Sequence, residues 1–264
     1  MNITPLPIGF GAAIEGLDLR RADPAATGLL RSALLQYGLL VIRGQSLTPQ
    51  EQIAATGLFG SLETFPTMRG QIDGVPEIFR VASRPEDGHV EVGRYWHSDG
   101  SFREDPTPIS FWYSVVQSEQ GGDTLFTDLQ QAWRELQPEI QQEFAGLSTA
   151  HRNGVVHPLM LRHPQTGVPA LYLNLGLTAG VLGHAPQHSQ ALMQAVDQHY
   201  SRPGATYRHH WLAGDVVVAD NLHVAHKATP ISPGQRRILN RTTVRADGVI
   251  WYDGGQPAEK RVAA

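Results

Sequence analysis

The chain has 264 residues, 21 Lys and Arg against 25 Asp and Glu, a net charge of −4 and no cysteine. The missing cysteines exclude disulfides, thiolate zinc sites and cysteine nucleophiles, and a pI near 6.3 leaves no electrostatic footprint for nucleic acid. No apolar stretch is long enough to span a bilayer, and Met1–Pro5 lacks the basic and apolar regions of a signal peptide, so no membrane partner and a cytoplasmic location are expected.

A chain this long buries about three quarters of its unfolded surface. With no repeat, low-complexity linker or break in composition, residues 1–264 are expected to form one domain. Gly9-Phe10-Gly11 resembles the start of a dinucleotide loop, but Ile14 stands where the third glycine belongs and no strand precedes it, so a turn is the better reading. Asp23-Pro24 opens a helix that Gly38 ends, and Leu39 to Ile42 is then a buried strand. Thr48-Pro49-Gln50-Glu51 is a capping box for a second helix, predicted to reach Phe59-Gly60.

The next segment reads Arg94-Tyr95-Trp96-His97-Ser98-Asp99-Gly100-Ser101-Phe102. In an extended chain, residues i and i+2 point the same way, so His97 and Asp99 can bind one ion from a single strand end. A third ligand must then come from elsewhere; two imidazoles and one carboxylate hold a divalent metal on one face and leave the other positions open. With twelve histidines in the chain, the triplet alone also fits a surface loop in which Asp99 caps a turn. The aromatic walls and the glycine favour a pocket-lining loop.

Ile109 to Val116 and Thr124 to Phe126 read as strands around a Gly-Gly turn, and a helical stretch follows Asp128 to about Phe144, interrupted near Pro138. Leu159 to Arg162 and Ala170 to Leu173 flank Pro164-Gln165-Thr166-Gly167, a hairpin signature. Pro186 to Tyr200 is a helix with Leu192, Val196 and His199 at helical spacing.

Further on, Gly214-Asp215 and Asp220-Asn221 bracket the apolar run Val216-Val217-Val218-Ala219, a buried strand that delivers His223 and His226 to a defined place. Spacing alone does not choose between these two histidines as the third ligand. The last strand, within Arg236 to Val244, puts Arg237, Leu239 and Arg241 on one face, with the guanidiniums about four strand rises, roughly 13 Å, apart. Arginines on a core-facing side are costly unless each meets an anion, for which a planar fork suits a carboxylate best. Either they bind acidic ligands or that face is solvated.

Many short strands with helices around them point to a mainly β fold, an antiparallel jelly roll with flanking helices. His209-His210 and the pair His184 and His188 are read as ordinary exposed or helix-face residues, and His151 and His157 as strand residues near the pocket. No Gly-x-Ser-x-Gly elbow supports serine hydrolysis.

Taken together, Trp96-His97-Ser98-Asp99, Gly121-Gly122-Asp123-Thr124, Asp220-Asn221 with four residues before His226, and Arg237 and Arg241 eleven and fifteen residues after it form an ordered set. This set resembles the taurine dioxygenase and aryloxyalkanoate dioxygenase (TauD/TfdA) family of Fe(II)- and 2-oxoglutarate-dependent oxygenases, with further likeness at Phe10 to Leu19 and Leu39 to Gly60. The resemblance implies a double-stranded β-helix, with His97, Asp99 and His226 on iron and His226 preferred to His223. It assigns Thr124 and Arg237 to the distal carboxylate of 2-oxoglutarate, and Arg241 to the acidic group of the prime substrate or to support of the co-substrate. Where taurine dioxygenase carries a histidine, a tyrosine and an asparagine, this chain has Phe65, Met68 and Gly93.

The expected activity is therefore oxidation, with hydroxylation foremost, of a small organic acid, using Fe(II), 2-oxoglutarate and O2 and releasing succinate and CO2. Phe65, Met68 and Tyr95 are expected to form an aromatic and apolar wall, with Arg241 and Arg94 as the positive end; the plainer reading of Phe65 and Met68 is core packing. A non-redox jelly-roll metal enzyme, isomerase or hydrolase, and a non-catalytic binding module are the rival readings. The former would not need Arg237 with Thr124. Homo-oligomerisation is left open by the sequence.

Overall fold

The structure, a computed structural model, describes residues 1–65, 72, 74–253 and 256–257. Every residue of the Val216–Asp220 strand is buried. It pairs antiparallel with Leu39–Ile42 on one side and Ile109–Val116 on the other. Val217 and Ala219 join a core with Leu39, Val41, Trp112 and Leu239, whereas Val216 and Val218 pack with Leu30, Leu34 and Ala55 of the flanking helices. With both faces covered, the strand has no polar side, so its sequence is a continuous apolar run rather than an alternation.

This strand lies inside an eight-stranded sheet, which runs Asn2–Pro5, Ala12–Glu15, Leu39–Ile42, Val216–Asp220, Ile109–Val116, Ile238–Val249 and Gly60–Leu62, with Phe79–Ala82 also paired to Ile238–Val249. Pairing is antiparallel except between Ala12–Glu15 and Leu39–Ile42. A three-stranded antiparallel sheet of Thr206–His209, Thr124–Asp128 and Val224–Ala228 forms the second layer. Phe126, Val224 and Trp211 meet Trp112, Val217 and Leu239 in a shared core. The fold is the expected mainly β jelly roll with flanking helices.

The helices start where the sequence places their caps. Asp23 accepts the Ala26 N–H at 2.7 Å before Pro24–Tyr37, and Thr48 and Glu51 close both bonds of the capping box before Pro49–Gly57. This second helix stops short of Phe59-Gly60, because Gly60 turns to φ +143° and begins the Gly60–Leu62 strand. The break at Pro138 is real: Leu129–Arg134 and Pro138–Ala145 are separate helices. The hairpin forms between Met160–Arg162 and Pro169–Leu171. Its turn is held by His163 Nδ1, which accepts the N–H groups of Gln165 and Thr166 while Nε2 donates to Asp220 at 2.9 Å. A sheet of Ser148–His151, Val156–Pro158 and Thr178–Val181 was not foreseen as a unit. Among the described residues no helix is long and apolar enough to cross a membrane.

Gly38 ends the first helix at φ +72°, and a Cβ there would lie 2.6 Å from Cγ of His223. Gly44 has a similar φ of +68° and nothing within 4 Å. Gly44→Ala should thus cost only the left-handed strain, about 1–2 kcal/mol, and Gly38→Ala clearly more. Urea unfolding of the two variants checks the order; equal losses would mean that the His223 ring yields without resistance.

Candidate metal centre and its flanking cavities

His97 and His226 are brought together by backbone before side chains enter. The His97 N–H donates to His226 O at 3.0 Å and the His226 N–H to His97 O at 2.8 Å, a two-residue antiparallel bridge between the His97 segment and the Val224–Ala228 strand. The imidazoles then lie 4.2 Å apart, centroid to centroid. Gly93 makes this possible: at φ +70°, its missing Cβ would sit 2.7 Å from His97 Cε1. His97 Nδ1 donates to Tyr95 O at 2.8 Å, which leaves the Nε2 lone pair free for a ligand bond.

Asp99 completes the group. Its oxygens lie 4.0 Å from His97 Nε2 and 3.9 Å from His226 Nε2, and one ligand atom from each of the three residues lies within 4.8 Å of the others. Among the described residues this is the one such group of three. Two neutral imidazoles and a carboxylate on one side are a donor set for a divalent ion with open positions. His223 is not part of it; its ring packs on Gly38 and faces Asp128 at 3.6 Å. His209 is buried against Asp215, and His210 pairs with Asp123 at the surface.

Burial raises the Asp99 pKa, but the charge of Arg241, then those of His226 and His97 and the Ser110 hydrogen bond, outweigh it and hold the group at about 2. Arg241 Nη1 donates to Asp99 Oδ1 at 2.6 Å, and its guanidinium lies 4.5 Å over the Phe79 ring. Burial lowers both histidines, His226 to about 3. The imidazoles are therefore neutral near pH 7, the state in which they bind metal.

Two spaces border the triad. A narrow recess is lined by His97, Thr124, His226, Arg237 and Arg241. Arg237 is 4% exposed, donates from Nη1 to Gly122 O at 2.6 Å, and has no ion-pair carboxylate among the described residues. Burial first, and then the charge of Arg94, lower its pKa to about 10. Gly122 leaves room for it, since a Cβ there would meet Arg237 Cδ at 3.2 Å. Thr124 Oγ1 accepts from Trp211 Nε1 at 3.0 Å, so its own proton is directed elsewhere. On the other side is a cavity of about 400 Å³ lined by Phe65, Phe79, Tyr95, Phe102, Leu177 and Arg241.

The sequence-derived candidates divide accordingly. Phe65 and Tyr95 stand in the larger cavity wall. Arg94 is elsewhere: it pairs with Glu91 and lines the outer recess next to Arg237, so the structure does not bring it to that wall. Met68 lies outside the described residues. His151 and His157 reach Ser101 behind the cavity, as expected of residues near the pocket. Sequence reasoning missed Trp211, Ser110 and the buried Glu63, which pairs with Arg103 and accepts from Thr107 and Thr243.

The family model described as "Taurine catabolism dioxygenase TauD, TfdA family" matches residues 2–243. Pentalenolactone F synthase of Streptomyces arenae is 30% identical, over 91% of this chain and 94% of its own length. The (S)-phenoxypropionate/alpha-ketoglutarate-dioxygenase of Sphingobium herbicidovorans is 28% identical, over 93% and 95%. A taurine dioxygenase structure from Burkholderia xenovorans superposes with a TM-score of 0.84 at 31% identity, covering 98% of this chain and 95% of that one. The structure of AAD-2 in complex with Mn(II) and N-oxalylglycine gives 0.82 at 25% identity, covering 92% and 97%.

Because the folded imidazoles of His97 and His226 resist protonation, the unfolded chain binds protons more readily below pH 6.5, and stability falls as pH falls. Each fully buried histidine contributes up to about 1.4 kcal/mol per pH unit below that point. Urea unfolding of the metal-free protein should therefore give a free energy roughly 2 kcal/mol lower at pH 5.5 than at pH 7.5. Equal stability at the two pH values would contradict buried, neutral imidazoles.

Proposed function

Because the chain belongs to the TauD/TfdA family of dioxygenases, we propose that His97, Asp99 and His226 hold Fe(II) and that the two flanking spaces divide co-substrate from prime substrate. The chain is a 2-oxoglutarate-dependent dioxygenase acting on a small organic acid. When bound, the iron supplies the coupled decarboxylation of 2-oxoglutarate to succinate and CO2 and the oxidation of the substrate by O2, here read as a hydroxylation.

The observation that carries the co-substrate assignment is Arg237, a buried guanidinium without a carboxylate partner, in a recess that also borders the metal triad. A buried cation of this kind is costly unless an anion joins it, and the distal carboxylate of 2-oxoglutarate is such an anion. The Thr124 hydroxyl, already accepting from Trp211, donates its proton to the same carboxylate. Such a recess has no use in a non-redox metal enzyme at the same three ligands.

In the larger cavity, Arg241 offers the charged end and Phe65, Phe79, Tyr95 and Phe102 the apolar body of the site. An acid with an aromatic or bulky apolar body buries that surface and is oriented by the guanidinium. The aryloxy acid in the name of the Sphingobium herbicidovorans relative supports this class. These walls also exclude water from the reacting carbon.

Arg237→Ala should raise the 2-oxoglutarate KM by about thirtyfold or more, since truncating one partner of a buried charge pair costs about 2–5 kcal/mol. Succinate release against 2-oxoglutarate concentration measures it; an unchanged KM would remove the assignment. In the same assay, aryloxyalkanoic acids should support more turnover than taurine. Preference for taurine would refute the apolar-body reading.

A further inference from the structure

The Asp220-Asn221 pair was singled out by the sequence yet supplies no metal ligand. Asp220 turns to His163 and to the Leu222 N–H. Asn221, fully buried, turns the other way and closes a ring of hydrogen bonds on Asp99. The Asp99 N–H donates to Asn221 Oδ1 at 3.3 Å, Asn221 Nδ2 donates to Ser110 Oγ at 2.9 Å, and Ser110 Oγ donates to Asp99 Oδ2 at 2.7 Å. The Asn221 N–H is fixed in turn by Pro108 O at 2.8 Å. Because the amide of Asn221 occupies a lone pair of the Ser110 hydroxyl, that hydroxyl presents its proton to the carboxylate.

The ring has an opponent. Arg241 holds the other oxygen, Oδ1, at 2.6 Å through Nη1. A guanidinium prefers to take both oxygens of a carboxylate in a parallel fork. A second bond to the same guanidinium would draw Oδ2 off the Ser110 hydroxyl, and Oδ2 is the oxygen that lies 3.9 Å from His226 Nε2. We propose that Ser110 and Asn221 are positioning residues that keep the Asp99 carboxylate facing the two imidazoles against the pull of Arg241. This rests on the reading of His97, Asp99 and His226 as the metal ligands. Ser110 is at the start of the Ile109–Val116 strand and Asn221 directly after Val216–Asp220, so the carboxylate is oriented by two rigid neighbouring strands rather than by its own loop.

Calorimetric titration of the full-length metal-free protein with Mn(II) alone tests this, with the thermal midpoint of each metal-free variant recorded alongside. Asp99→Ala should abolish binding; if it binds as the parent does, the ligand reading and this proposal both fall. With Asp99→Ala silent, Ser110→Ala should bind Mn(II) at least about tenfold more weakly, the usual scale for an outer partner of a ligand. Ser110→Thr, which keeps the hydroxyl, should bind as the parent does. Parent-like affinity in Ser110→Ala, or equal losses in Ser110→Ala and Ser110→Thr, would each overturn the positioning role while leaving the ligand reading intact.

Discussion

The reciprocal backbone bonds between His97 and His226 are the constraint on which the site depends. They tie a loop residue to the second sheet, so that two imidazoles far apart in sequence share one rigid frame. Side-chain bonds alone would leave the His97 segment free to swing on its glycines. Main-chain bonds cannot be exchanged for others by rotamer changes, and the spacing of the imidazoles follows from strand geometry. Trp112 and Phe126 pack edgewise and obliquely on His226 and finish the frame with apolar surface.

Charge is arranged around that frame so that each buried group answers another. Asp99 is balanced by Arg241, and Glu63 by Arg103 with two threonine hydroxyls. Arg237 is the exception, satisfied by one carbonyl and otherwise unanswered within the described residues. An interior that neutralises its other charges and leaves one cation to carry its own burial cost is the kind of place an anion favours.

Much of this could be read from the residues, and the parts that could not share a physical reason. Asp23, Thr48 and Gly38 set helix ends through local bonds, which are visible locally. The Val216–Ala219 run gave a buried strand because burial on both faces removes any alternation. His97 with Asp99 was legible as a pair because it needs only the strand period. Which of His226 and His223 stands beside His97 and Asp99 was not, since both follow the same strand; His223 instead packs on Gly38, a contact that spans most of the chain. Trp211 and the Asn221 partner of Ser110 were invisible for the same reason, since Trp211 meets Thr124 and Asn221 meets Ser110 across long stretches of chain. Arg94 misled because adjacency to the ligand triplet says nothing of direction: its neighbour Tyr95 faces the larger cavity while Arg94 faces the outer recess.

Gly93 ties substrate selection to metal geometry. The family resemblance puts an asparagine of taurine dioxygenase at this point, where a side chain would enlarge the polar repertoire of the pocket. Here the first atom of any side chain would strike the imidazole of His97, on a backbone turn that non-glycine residues rarely adopt. A side chain at this position would thus displace an imidazole of the candidate metal centre. Phe65, in the wall of the larger cavity, has no such coupling to the His97 ring through its backbone.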